Sequence, residues 1–224
     1  MKNVTLHFFG DSHLRTVRSA FEAGLFAGVP CRFELVGGAT AVGLRHPTSK
    51  TQALKVYRDS LLPYRPNIIP VFQLGEVDCG FVIWVRAQRH GESVRQQLEE
   101  SLAAYLAFLI EIRDAGYRDL LVTSATLPTI LDGQLDGEVA HLRREVLATL
   151  RERTDLTLDY NAELARLCHA NDLRFLDLTT DFIDPATRVL HDRFRHFDQA
   201  DHHLHPQRGG EVWAKRVLEA LDLR

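Results

Sequence analysis

Val4-Thr5-Leu6-His7-Phe8-Phe9-Gly10-Asp11-Ser12-His13 runs from an apolar, strand-like segment into four small or polar residues. Leu14, Val17, Phe21 and Leu25 then recur at helical spacing. A polar tetrad between a strand and a helix is where α/β proteins usually place their chemistry. Backbone N–H groups at the helix N-terminus face the crevice there, and the helix dipole favours developing negative charge. A serine in that turn is a nucleophile with part of an oxyanion site supplied by the main chain. The competing reading is that Asp11 or Ser12 simply caps the first helix. The tetrad alone does not separate the two.

Outward from this turn, strands and helices alternate. Cys31–Val36 reads as a second strand, followed by an irregular loop from Gly37-Gly38-Ala39-Thr40 through Gly43 to Pro47. Ser49 or Thr51 caps a helix ending at Leu61, and Ile68–Leu74 has the continuous apolar character of a buried parallel strand. Cys79–Arg89 carries Phe81, Val82, Ile83, Trp84 and Val85 without helical spacing and reads as a covered extra strand, or else as a lid or partner-facing loop. A long helix is expected over Glu92–Ala115 and a fourth strand over Leu120–Ser124. Two helices are expected at Glu138–Arg153 and Leu158–Ala170, and a fifth strand at Arg174–Leu178. A last helix buries Val212, Trp213, Val217, Leu218 and Leu221. Five strands alternating with helices give a three-layer α/β/α sandwich around a five-stranded parallel sheet, read as one domain over residues 1–224.

Composition bounds the function. At 224 residues, 45% apolar and 25% charged, the chain has the make-up of an ordinary globular protein. Its net charge of -3 gives no electrostatic reason to expect nucleic acid or an anionic membrane as partner. No apolar stretch is long enough to span a bilayer, and the N-terminus lacks a signal-peptide core, so a cytoplasmic location is expected. Cys31, Cys79 and Cys168 are odd in number, widely spaced and without a CxxC pair, which points to reduced thiols and away from a zinc site.

Four polar clusters fall at loop positions: Asp11-Ser12-His13, Gly37–Thr40, Gly75-Glu76-Val77-Asp78, and Asp201-His202-His203-Leu204-His205. The first three follow successive strands at their C-terminal ends, and the fourth precedes the final helix. Their convergence would supply nucleophile, oxyanion donors and base. In this order the clusters resemble the blocks of the SGNH (GDSL-type) hydrolases, whose fold is a flavodoxin-like α/β/α sandwich. Gly10-Asp11-Ser12-His13 is similar to the first block, which implies Ser12 as nucleophile. Gly37–Thr40 is similar to the second, which implies that Gly38 lends an N–H to the oxyanion hole. Gly75–Asp78 stands where the family has glycine-any-asparagine-aspartate, and His203-Leu204-His205-Pro206 resembles the last block.

Two departures stand out. Val77 occupies the asparagine position and cannot donate to an oxyanion; losing one such donor typically costs roughly 10²–10³ in rate. The family's aspartate lies three residues before its histidine, whereas Asp201 is two before His203 and four before His205. His203 is preferred as base, with His205 as the alternative.

The resemblance implies a serine esterase, deacetylase or acyltransferase acting on a small-molecule or carbohydrate ester, without cofactor or metal. Ser12, His203 (or His205) and Asp201 would be its catalytic groups, and Gly38, Asp11, Glu76 and Asp78 would lie around the oxyanion and substrate. Two other readings remain open. One is a metal-dependent phosphoesterase using Asp11, His13, Glu76, Asp78, His203 and His205. The other is a glycan- or protein-binding module on the same fold. Outside these roles, Glu76 and Asp78 are expected to pair with Arg45 or Arg86, His191, His196 and His202 to decorate a surface loop, and Trp84 and Trp213 to pack.

Overall fold

The computed structural model describes residues 4–134 and 143–223. Five parallel strands form one sheet: β1 Thr5–Gly10, β2 Cys31–Leu35, β3 Ile68–Gln73, β4 Leu121–Thr123 and β5 Arg174–Leu176. Their order is β2-β1-β3-β4-β5, the doubly wound arrangement with its switch point between β1 and β3. β1 pairs with β3 from Thr5↔Ile68 to Gly10↔Gln73 and with β2 from Leu6↔Cys31 to Gly10↔Leu35. The C-terminal ends of all three therefore lie level.

The period-two alternation of strands divides the core between two faces. Phe9, Phe72 and Val122 face a cluster built on α2 (Ala53–Leu61), α3 (Ile83–His90), α4 (Val94–Asp114) and α5 (Leu150–Ala170). Phe8, Val71 and Leu121 face the other, built on α1 (Leu14–Glu22), the short α6 (Thr179–Phe182) and α7 (Pro206–Ala220). Trp213 is buried in this second cluster; its truncation to alanine would cost about 3–5 kcal/mol.

α1 and α7 touch almost backbone to backbone. A Cβ at Gly210 would sit 2.9 Å from the Cβ of Ala20, and one at Gly209 would sit 3.0 Å from Cγ2 of Thr16. Thr16 Oγ1 also donates to the Leu204 carbonyl at 3.4 Å. This close approach fixes the loop before α7 against the turn before α1.

The strands match the sequence expectation to within two residues at each end, but two helical regions differ. Residues 79–90 are neither an extra strand nor a loop. A π-helical turn, Asp78–Val82, leads into α3, which packs along α4, and Ile83 and Trp84 join the core on that face. The two helices expected at 138–153 and 158–170 are replaced, over the described residues, by the single α5 starting at Leu150; residues 138–142 lie outside the described residues. α5 starts where Thr149 and Glu152 form a capping box. No helix among the described residues is long and apolar enough to cross a membrane.

Candidate active site

The β1–α1 turn is shaped by Asp11. Its Oδ1 accepts the backbone N–H of His13 at 2.8 Å, an Asx-type turn that leaves Ser12 half-buried between the buried Asp11 and His13. Gly10 is required beneath it: a Cβ there would lie 2.3 Å from the Gln73 carbonyl oxygen. The Tyr57 hydroxyl donates to the Gly10 carbonyl at 2.9 Å and holds the strand end in place.

Gly37 and Gly38 form an exposed turn after β2. Gly38 has φ +70°, and the space beside its Cα is open. The loop that follows is anchored by Asp78, which is fully buried. Its Oδ2 accepts from Ala41 N at 2.7 Å, and its Oδ1 accepts from Val42 N at 3.0 Å and Ser101 Oγ at 2.8 Å. Burial pushes the Asp78 carboxyl above the usual range, and these hydrogen bonds partly oppose it. Both oxygens are occupied by the protein, so Asp78 positions the glycine loop and does not face substrate.

Glu76 lies on the other side of the same turn. Its Oε2 is 2.9 Å from Nε2 of His13, and the two side chains are 1% and 2% exposed. The expected pairing of Glu76 and Asp78 with Arg45 or Arg86 is therefore corrected: both arginines pair with Glu100, at 2.9 and 3.4 Å. His13 is likewise buried. Val77, next along, is half-buried.

The loop before α7 closes the arrangement. His203 is buried, and its Nδ1 lies 2.5 Å from Oδ1 of Asp201, which also accepts the His203 backbone N–H at 2.9 Å. Nε2 of His203 is buried and has no hydrogen-bond partner among the described residues. The His203 ring stands 5.1 Å from that of His13, the residue adjoining Ser12. Burial and the positive charge of His13 lower the His203 pKa to about 4, against a smaller opposing effect of Asp201. Burial pushes the Asp201 carboxyl up, but the hydrogen bonds from His203 outweigh it and hold it below the usual range.

His205 does not join this group. Its Nδ1 caps α7 by accepting from Arg208 N at 3.4 Å, and its ring leans on Phe197. Two histidines expected at a remote surface are, in contrast, drawn in. His202 stacks 4.1 Å from His203 and 5.5 Å from His13, and its carbonyl accepts from Thr129 Oγ1. His196 Nε2 lies 3.7 Å from Asp201 Oδ2. Ser101, which ties Asp78 to α4, carried no sequence signal. The six residues considered as metal ligands do not assemble, since Asp78 is spent on the glycine loop and His205 on a helix cap. Among the described residues, the donor atoms that come within 4.8 Å of one another belong to Asp201, His202 and His203. The three thiols are held in their neutral form: burial pushes Cys31 and Cys168 to about 12 and Cys79 well above its ordinary value.

No family model and no curated protein sequence matches the chain, but solved structures do match its fold. A GDSL-like lipase from Bacteroides thetaiotaomicron superposes with a TM-score of 0.65 at 14% identity, over 99% of this chain and 89% of that one. An acetyl xylan esterase superposes at 0.59 and 14% identity, over 97% and 100%. An acetyl-xylooligosaccharide esterase from Geobacillus superposes at 0.54 and 13% identity, over 100% and 98%. The chain thus shares its α/β/α fold with these hydrolase structures, at 13–14% sequence identity.

Proposed function

We propose that the chain is an SGNH-type serine hydrolase that cleaves an ester-linked acyl group. The observation that carries this reading is the Asp201–His203 pair, with the open Nε2 of His203 brought to the turn that presents Ser12. Asp201 accepts the Nδ1 proton, which leaves Nε2 as the unprotonated, basic nitrogen. His203 takes the hydroxyl proton as Ser12 Oγ attacks the ester carbonyl. The backbone N–H groups of Ser12 and Gly38 receive the oxyanion. Collapse of the tetrahedral intermediate breaks the acyl–oxygen bond, and His203 returns its proton to the departing alcohol. Water, or an acceptor hydroxyl in acyl transfer, then repeats the sequence on the acyl-serine and restores the enzyme.

An O-acetylated carbohydrate is the substrate class we favour. Two of the similar structures are named for acetylated xylan or xylo-oligosaccharide. The test is turnover of p-nitrophenyl acetate and of acetylated xylo-oligosaccharides by wild type and Ser12→Ala, each with and without EDTA. Chelator-resistant activity that vanishes with the serine supports the proposal. Chelator-sensitive activity that survives Ser12→Ala overturns it.

A further inference from the structure

We propose that Phe197 is a stacking platform for a sugar ring, a carbohydrate subsite built into the loop that carries Asp201 and His203. The inference rests on the serine-hydrolase reading above and names the residue that selects an oligosaccharide as the alcohol side of the ester.

Phe197 is 75% exposed. An isolated apolar side chain at a surface is common and needs no special account. What sets Phe197 apart is how it is held and where. Its ring stacks on the imidazole of His196, with centroids 4.3 Å apart and planes 28° from parallel, and meets the His205 ring at 71° and 5.9 Å. Both imidazoles are themselves fixed. His196 Nδ1 accepts from Asp198 N at 3.1 Å, and His205 Nδ1 accepts from Arg208 N at 3.4 Å. The main chain nearby is tied down as well: His205 N donates to the Phe194 carbonyl at 2.8 Å, and Arg195 bridges Leu204 in antiparallel fashion. The ring thus stands in solvent with little freedom left to lose when a ligand covers it.

Short contacts join this platform to the catalytic pair. His196 Nε2 lies 3.7 Å from Oδ2 of Asp201, whose Oδ1 holds His203. With His196 and Asp201 in between, the ring takes a neighbouring sugar unit and not the acetyl group itself. A pyranose has the matching chemistry. Its C–H face is apolar and weakly positive and lies well on the negative face of an aromatic ring, while the hydroxyls around its edge need polar partners. The residues that flank Phe197 in the chain, His196, Asp198 and Gln199, are polar and suit that edge. A long acyl chain gains its affinity from continuous apolar surface, which this run of residues does not offer.

The test measures kcat and KM on acetylated xylo-oligosaccharides, p-nitrophenyl acetate and p-nitrophenyl octanoate for wild type, Phe197→Ala and Phe197→Trp. Calorimetric binding of unacetylated xylotetraose and melting curves accompany it. Phe197→Ala is expected to lower the ratio of oligosaccharide to p-nitrophenyl acetate kcat/KM by about tenfold, through KM and not kcat, and to weaken xylotetraose by a similar factor. Phe197→Trp, which keeps an aromatic face, is expected to retain both. A ratio within about twofold of wild type overturns the inference, and so does a lower melting temperature with every substrate affected alike. A loss confined to the octanoate overturns it too, by assigning the ring to an acyl chain. So does a wild type that cleaves p-nitrophenyl acetate but neither binds xylotetraose nor deacetylates the oligosaccharides. Each of these outcomes leaves the hydrolase reading intact. A wild type that neither turns over esters nor reacts with a fluorophosphonate overturns that reading instead, and xylotetraose binding lost in Phe197→Ala would then still place the sugar on the ring.

Discussion

The backbone N–H of His203 and its ring Nδ1 both donate to one atom, Oδ1 of Asp201, at 2.9 and 2.5 Å. A chain spacing of two residues makes this possible: the loop folds back so that the carboxylate reads main chain and side chain together. The unusual spacing therefore preserves the aspartate–histidine contact and does not abolish it. Asp201→Asn would present an amide that can donate to Nδ1 and favour the wrong tautomer. We expect kcat to fall by about 10³–10⁴ with KM nearly unchanged, measured on p-nitrophenyl acetate.

His205 gives the matching control. It caps α7 through a long hydrogen bond to Arg208 N and makes no contact with Asp201 among the described residues. His205→Ala should cost about 0.5–1 kcal/mol of stability and leave kcat within a few-fold. His203→Ala should lower kcat by about 10³ or more. Reversed effects would move the base to His205.

The low pKa of His203 sets the pH dependence. With its folded value lowered to about 4 from an ordinary value of 6.5, His203 stays neutral and basic across the neutral range. Ester hydrolysis should be flat down to about pH 5 and fall below that, as the imidazole protonates. Stability follows the same sign. Between pH 6.5 and about 4 the unfolded chain binds a proton at this residue and the folded chain does not. The contribution is thus fully present above 6.5 and is lost on acidification through that window, by roughly 3 kcal/mol at its lower end. Urea midpoints measured across this range, for wild type and His203→Gln, would isolate the difference.

Asp78 joins folding to function. Its carboxylate holds Ala41 N, Val42 N and Ser101 Oγ. Asp78→Ala would strand two buried N–H groups at a cost of about 3 kcal/mol or more. For a chain of this size we expect the melting temperature to drop by about 6–12 °C. Activity should fall as well, because the anchor of the Gly38 loop is lost. A melting curve close to wild type would show that the loop does not depend on this carboxylate.

Much of this architecture is legible in the sequence because local chemistry and global packing agree. The β1–turn–α1 unit announces itself through an apolar run, small polar residues and a helical period, and each signal survives in the structure. Ile68–Leu74 reads as a buried strand because both faces of the sheet are covered by helices. Residues 79–90 defeat the same logic. Phe81 to Val85 are consecutively apolar because a π-helical turn and α3 are packed between two other helices, so no polar face marks the period.

α5 fails for the opposite reason. Thr154 and Thr157 lie inside and satisfy their hydroxyls on the carbonyls of Leu150 and Arg153, and Asn161 clamps Ala125 N and O. Polar residues at buried positions break the apolar period on which a sequence reading depends. The Glu76–His13 and His202–His13 contacts join residues from separate loops. No spacing rule within one loop announces them.

Covalent modification by a fluorophosphonate probe, with the adduct located by peptide mass spectrometry, tests the proposed nucleophile most directly. Stoichiometric labelling of wild type at Ser12, abolished in Ser12→Ala and strongly slowed in His203→Ala, is the result we predict. An unlabelled wild-type protein, or an adduct on any other residue, would contradict the serine mechanism.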